Sequence, residues 1–425
     1  MVRLATWSVM GRAGVGGIRL FFPAGLAFLL VAGLTLGPGT TPAAPATSAE
    51  RRWDRLQQHL QAYRTVLDKL RQQYGQTYRL PPVSFFLFGM GPRDKLLYQA
   101  GELREALTGK VLHRWKVAEE LIVPSAYTVA LKTADGDFVW IAEDESGVWL
   151  EQGGRREALT RGPVRLPEFA DHAYGPVLRV LHQEVLVNIV QGRPVPNFFV
   201  YPRPWYRDAA LMAMVLARTG NLPAIQDWVR ALREPYDRNN GGETEPDNLG
   251  EVLYLISCVS DASHPLVPTV QQELKRWEKK KDRQVWIAGR TDFGQHPVYQ
   301  TLWAKFGLKS LGLPDPYTVP RDADSYAALA WWAERPAAEP LPAPHRDERY
   351  PYLVWASRHC RREASGPLSD RDYPLTWEAQ ASQARYEGME RIDKSYTQRR
   401  LCAPHTWHAA EAFLHLLESS PKTPR

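Results

Sequence analysis

A chain of 425 residues is too long for one small core and suits a large domain with a smaller companion. Its 53 basic and 47 acidic residues are interspersed, leaving a formal net charge of +6. No long run of Lys or Arg tracks an aromatic platform, which argues against nucleic acid and leaves solubility plus weak attraction to anionic wall or lipid surfaces.

Residues 1–46 read as a targeting segment. Arg3, Arg12 and Arg19 precede an apolar run at 20–36, and a Pro- and Ala-rich stretch ends in Ala44-Pro45-Ala46. The run suits a signal peptide or an uncleaved membrane anchor, and either one puts the body outside the cytoplasm, secreted or membrane-tethered. Residues 47–80 predict an amphipathic helix or stalk, with Trp53, Leu56, Leu60, Tyr63, Val66 and Leu70 at three- and four-residue spacing. Residues 81–168 predict a small antiparallel β domain: 84–88, 127–131, 138–141 and 147–150 are short, β-branched or aromatic, with turns at Asp135-Gly136 and Gly153-Gly154.

From 169 to 420 the chain reads as successive helices at 175–191, 205–219, 222–233, 247–260, 264–282, 297–311, 322–334, 350–361, 376–392 and 405–418. Short loops alternate with long ones rich in Pro, Gly and Asp, which predicts helical hairpins closed into a toroid with the long loops on one rim. The expected fold class is therefore mainly α, an (α/α)6 toroid preceded by the small β domain. Cys258, Cys360 and Cys402 make no disulfide framework, although Cys360 and Cys402 can pair if the fold brings them together.

Four rim segments, 204–211, 241–253, 289–307 and 373–383, gather Asp, Glu, Trp and Tyr ahead of helices. In Trp205-Tyr206-Arg207-Asp208 an Arg-Asp pair sits beside two aromatics, an arrangement suited to sugar. The Asp accepts from vicinal hydroxyls, the Arg donates in a planar fork, and the rings cover the C–H face of a pyranose. A buried ion pair joining two helices explains the same residues. Carboxylates at helix starts, Asp247 among them, also serve as caps.

Trp205-x-Arg207-Asp208-x-Ala210-Leu211 resembles the substrate-binding segment of glucoamylase-like glycoside hydrolases of the six-hairpin class. Glu245-Pro246-Asp247-Asn248-Leu249-Gly250 resembles the start of the next inner helix there, and 403–410, with Trp407, the start of the last one. The resemblance covers roughly 170–420 and implies inverting hydrolysis, in which one carboxyl protonates the leaving oxygen and another activates water. It implies Glu378, beside Trp377, as the base. The acid falls on Asp292 or Glu245, with Glu243 as a neighbour that raises a pKa. Arg207 and Asp208 then clamp a terminal sugar, Trp205 and Trp377 wall the pocket, and Tyr206, Asp247, Asn248, His296, His405 and Trp407 complete the substrate site. No cofactor and no metal are required, because Pro404 keeps Cys402 and Glu411 from converging with His405 and His408 on one centre. The expected partner is an oligosaccharide or wall glycan, with the membrane through 20–36 if the leader stays. Two other readings remain open: a non-catalytic glycan-binding or cell-envelope interaction module on the same rim, and a polysaccharide lyase using Tyr206, His405 and Arg207.

Overall fold

A computed structural model describes residues 47–74, 84–292, 294–320, 378–379, 386–392, 394–399, 401–402 and 406–419, and these described residues belong to one compact unit. The leader, and the helices expected at 322–334 and 350–361, lie outside the described residues. Among the described residues no helix is long and apolar enough to cross a membrane.

Helix α1 (Ser48–Tyr74) opens with a capping box. The Thr47 amide donates to Glu50 Oε2 at 2.6 Å and the Glu50 amide donates to Thr47 Oγ1 at 3.2 Å, satisfying two donors at the helix start. Trp53, Leu56, Leu60, Tyr63, Leu67 and Leu70 are all buried, an alternating three–four spacing that keeps one stripe inward. Leu67 takes the inward place expected for Val66, which is half-buried. The helix is no free stalk: it packs on the β region and on the first core helix, with the Trp53 ring edge-on to Phe138 and Trp140.

Two antiparallel meanders follow. Strands β1 (Phe85–Phe88), β2 (Leu96–Gln99), β3 (Glu102–Glu105) and β4 (Val111–Arg114) form one sheet in sequence order. Strands β5 (Val117–Val123), β6 (Thr128–Thr133), β7 (Phe138–Glu143), β8 (Gly147–Gln152) and β9 (Arg155–Arg161) form the other. Each of the four segments expected as strand contains one, β1, β6, β7 and β8, with Ser84 and Tyr127 falling outside them. The polar strands β3, β5 and β9 gave little alternation to read. A buried carboxylate ties the meanders together, as Glu143 on β7 accepts from the Gly89 and Met90 amides (3.0 and 2.6 Å) and from Arg93 Nη1 (2.7 Å).

The helical region is built from α2 (Gly175–Val187), β10 (Ile189–Val190), β11 (Arg193–Pro194), α3 (Tyr206–Thr219), α4 (Gln226–Arg230), α5 (Asp247–Val259), α6 (Val267–Trp277), β12 (Glu278–Lys281), β13 (Gln284–Ile287), β14 (Arg290–Thr291), β15 (Gly294–Gln295), α7 (Pro297–Ser310) and a C-terminal helix, Thr406–Ser419. Helix α7 lies on α5, α5 on α3, α3 on the C-terminal helix, and that helix on α2. One main core runs from Trp53 and Tyr63 through Leu178, Leu211, Val252 and Trp303 to Phe413.

This overturns the expected toroid. Instead of twelve helices in paired hairpins, the chain has two multi-stranded sheets and two-stranded ladders interleaved among the helices. The stretch 264–282 shows why: helix α6 stops at Trp277, and the chain turns back on itself as an antiparallel hairpin, Glu278–Lys281 paired with Gln284–Ile287, with Val285 packed on the core and Ile287 buried while Lys279, Lys280 and Lys281 are exposed. The stretch 376–392 likewise contains strand Glu378–Ala379 paired with Leu401–Cys402, and a 3-10 turn at Met389–Arg391. The resemblance to six-hairpin glycosidases falls with the toroid, since it rested on three helix-start motifs whose residues are also selected by capping.

The α5–α7 crossing depends on glycine. A Cβ on Gly250 would meet the backbone of Trp303 and Ala304, and Gly307 approaches the Gly250 carbonyl in the same way. Backbone on both sides cannot move aside as a side-chain tip would, so Gly250→Ala is expected to destabilise the protein by about 1–3 kcal/mol. A urea midpoint equal to that of the parent would show that the helices can separate at little cost.

Candidate functional site

The starts of α3, α5 and the C-terminal helix, with the β14 segment ahead of α7, meet at one end of the helix array. Arg207, in the first turn of α3, is the hub. Its Nε donates to Asp247 Oδ2 at 3.1 Å, Nη1 to Asp292 Oδ2 at 2.9 Å and Nη2 to Glu245 Oε2 at 3.1 Å. The Arg207 side chain is 2% exposed, those of Glu245 and Asp247 are 4% and 0%, and that of Asp292 is 18%. The guanidinium carbon also lies 5.3 Å from the Trp407 ring and 5.8 Å from the Trp205 ring. The fork that sequence assigned to sugar hydroxyls is thus engaged by three carboxylates.

Neighbouring amides and hydroxyls fix those carboxylates. The Asp292 amide donates to Glu245 Oε1 at 2.6 Å, and Asn240 Nδ2 reaches both Glu245 Oε1 (3.1 Å) and Asp292 Oδ1 (3.3 Å). Thr291 Oγ1 donates to Asp247 Oδ1 at 2.7 Å and accepts from Gln300 Nε2 at 2.8 Å. Deeper in, Asn248 Nδ2 and Tyr299 Oη donate to the two oxygens of Glu251, at 3.1 and 3.0 Å. Asp292 holds a left-handed backbone, φ 48°, unfavourable for a residue with a Cβ and typical of positions fixed by surrounding bonds.

Asp208 is buried at 2% exposure and accepts from Thr406 Oγ1 at 3.1 Å, pinning the C-terminal helix to α3. It faces the interior rather than a sugar. Tyr206 is buried, its hydroxyl donating to the Glu234 carbonyl at 2.9 Å. Asn248 and Trp407 are buried, Trp205 and His296 half-buried, and Glu243 exposed. His408 and Glu411 are buried on the C-terminal helix. Trp377 and His405 lie outside the described residues. For Glu378 the backbone is described: it pairs with Cys402, four residues before Thr406, which places it within about 20 Å of the Asp208–Thr406 contact.

Sequence reasoning missed Asp237 and Asn240, which sit in a loop with no helix pattern. Asp237 caps α3 from a distance, accepting from the Tyr206 amide at 2.7 Å and the Asn239 amide at 2.9 Å. The run Asp237-Arg238-Asn239-Asn240-Gly241-Gly242, dense in turn formers and amide side chains, was the available signal.

Burial dominates the electrostatics. It raises Asp292 against the opposing pull of Arg207, and pushes Asp237 up to about 6 although two amides bond it. Asp247 and Glu251 are raised for the same reason, and Arg207 stays firmly charged because its acid neighbours outweigh its own desolvation. Burial pushes Asp208 up to about 7, with Arg207 and Thr406 opposing.

Asp208 has a consequence for stability. Unfolded, its carboxyl ionises near the ordinary value of 3.8; folded, near 7. Between the two only the native state holds the proton, so the stabilisation is complete below about pH 4 and lost as pH rises through about 7, on the order of 4 kcal/mol at most. His182, pushed down to about 3 by burial, contributes with the opposite sign between about 3 and 6.5. Comparison with Asp208→Asn cancels that term. The variant's stability relative to the parent is expected to rise between pH 4.5 and 8; a flat difference would show that Asp208 ionises alike in both states.

Among the described residues no group of three or more His, Cys, Asp or Glu side chains has the arrangement to hold a metal ion. What the site offers is one partly accessible carboxyl on a rigid, Arg-anchored base of buried carboxylates, with Trp205 beside the Arg. No family model, curated protein or solved structure matches this chain.

Proposed function

We propose that this protein is an extracytoplasmic glycan-degrading enzyme that hydrolyses an oligosaccharide or wall-associated glycan with inversion, using the Asp292 carboxyl as proton donor. The observation that carries this reading is Asp292 itself. Of the three acids on Arg207 it is the one with appreciable exposure, its ionisation is opposed by burial and by Glu245, and its backbone is held in an unfavourable conformation. A general acid needs contact with the substrate, a pKa above the ordinary carboxylate range and a fixed position, and burial supplies the second against the pull of Arg207. Trp205, half-buried beside Arg207, offers the ring on which a sugar stacks. Glu378, whose backbone pairs with Cys402 four residues before the C-terminal helix, is the proposed base.

Incubation with a panel of α- and β-linked oligosaccharides tests the reading, with reducing ends, product anomer and unsaturated products all followed. Release of reducing ends with inverted anomer is expected. Unsaturated ends would mark a lyase. Binding without turnover would mark a glycan-binding module.

A further inference from the structure

The β12–β13 hairpin carries a face unrelated to packing. Its register pairs Lys279 with Trp286 and Lys281 with Gln284, and these four share one side of the ribbon. The other side carries Val285 and Ile287 towards the core, with Glu278 half-buried and Lys280, itself exposed, bridging to Glu278 at 2.9 Å. On the outward side Lys279, Lys281 and Gln284 are exposed and Trp286 is half-buried. Asp282 and Arg283 form the exposed turn, and Lys275 stands exposed on the last turn of α6. Among the described residues no ion pair engages Lys275, Lys279, Lys281 or Arg283, whereas Arg276 is paired with Glu273 at 2.7 Å. An indole framed by unpaired ammonium groups suits a ring that is apolar on its face and negative at its edge.

The hairpin is also joined to the acid cluster. Asp292 lies five positions after Ile287, a reach of about 18 Å at most. Between them Trp277 packs against Gly289 and donates through Nε1 to Tyr236 Oη at 2.8 Å, next to Asp237. At the far end the Arg207 guanidinium offsets part of the charge of the three carboxylates.

We propose that the outward face of β12–β13 binds an anionic polysaccharide, with Lys279 and Lys281 pairing the negative groups and Trp286 stacking on a sugar ring, and directs the chain towards Asp292. The inference rests on the hydrolase reading only for that direction. A single indole beside Gln284 and Asp282 gives neither the succession of stacking rings that single-stranded nucleic acid uses nor the broad apolar face that a bilayer requires.

The test measures binding of the intact protein to polygalacturonate and to the same polymer fully methyl-esterified. Binding to the charged polymer is expected to be at least about tenfold tighter and to weaken markedly towards about 0.5 M salt, as interactions of exposed charges do. Lys279→Ser with Lys281→Ser removes most of that preference; Trp286→Ala weakens binding to both polymers, and Trp286→Phe restores it. Equal affinity for the two polymers, an unchanged Lys279/Lys281 double variant, or binding to phosphatidylglycerol vesicles but to neither polymer overturns the proposal. Charge-dependent binding with no hydrolysis of any glycan would remove the enzyme and keep the binding face. Hydrolysis of neutral glycans without preference for charged polymer would do the reverse.

Discussion

Arg207→Met is expected to cost about 3–5 kcal/mol of stability, the range for leaving buried charges without their partner. The guanidinium balances Glu245, Asp247 and Asp292, two of which are almost wholly shielded from water. Methionine fills a similar volume but offers no donor, so the three carboxylates must either repel one another or take up protons. The second course gives the variant a signature. Its buried carboxyls acquire still higher pKa values when folded, so the loss should be largest near pH 8 and partly recovered near pH 5, where the folded state can hold the protons. Arg207→Lys should fall between, because one ammonium keeps the charge but cannot serve three acids in the geometry of the fork. Urea unfolding at both pH values checks this. A Met variant of parental stability would mean that the carboxyls are neutral already and that Arg207 does not hold the cluster.

That cluster shows what the sequence carried and what it did not. The start of α3 was legible, because Trp205 to Leu211 has the aromatic, charged and then apolar order of a helix entry. So were the β segments, whose alternation survives without partners, and the stripe on α1. Arg207 and Asp208 were adjacent letters with a shared role in the sequence reading, yet in the fold they diverge: Arg207 turns to Asp247, Asp292 and Glu245, and Asp208 to Thr406, almost two hundred residues away. Neighbours in a helix point about 100° apart, so adjacency gives no common target. The fold class was misread for a related reason. Charged strands such as β12 share composition with helix surfaces, and only the partner strand shows that the period is two. Asp237 and Asn240 were invisible because their task, capping and bridging from a loop, has no period at all.

Asp292→Asn is expected to lower kcat on a natural glycan by about 10²–10⁴-fold with little change in KM, the usual contribution of a positioned general acid. Asparagine preserves the shape and an oxygen for Arg207 while removing the transferable proton. The loss should depend on the leaving group. A glycan leaving as an alkoxide needs a proton, whereas a dinitrophenyl glycoside departs as a stabilised anion and needs almost none, so the variant should approach the parent on the activated substrate. In the parent, activity should fall as pH rises through the carboxyl's elevated pKa, and that upper limb should be missing from the Asn variant acting on the activated glycoside. A Glu378→Gln variant should behave oppositely, losing rate on both substrates, since water must be activated whatever group departs. Equal losses on the two substrates for Asp292→Asn would make Asp292 a structural partner of Arg207 and remove it from proton transfer.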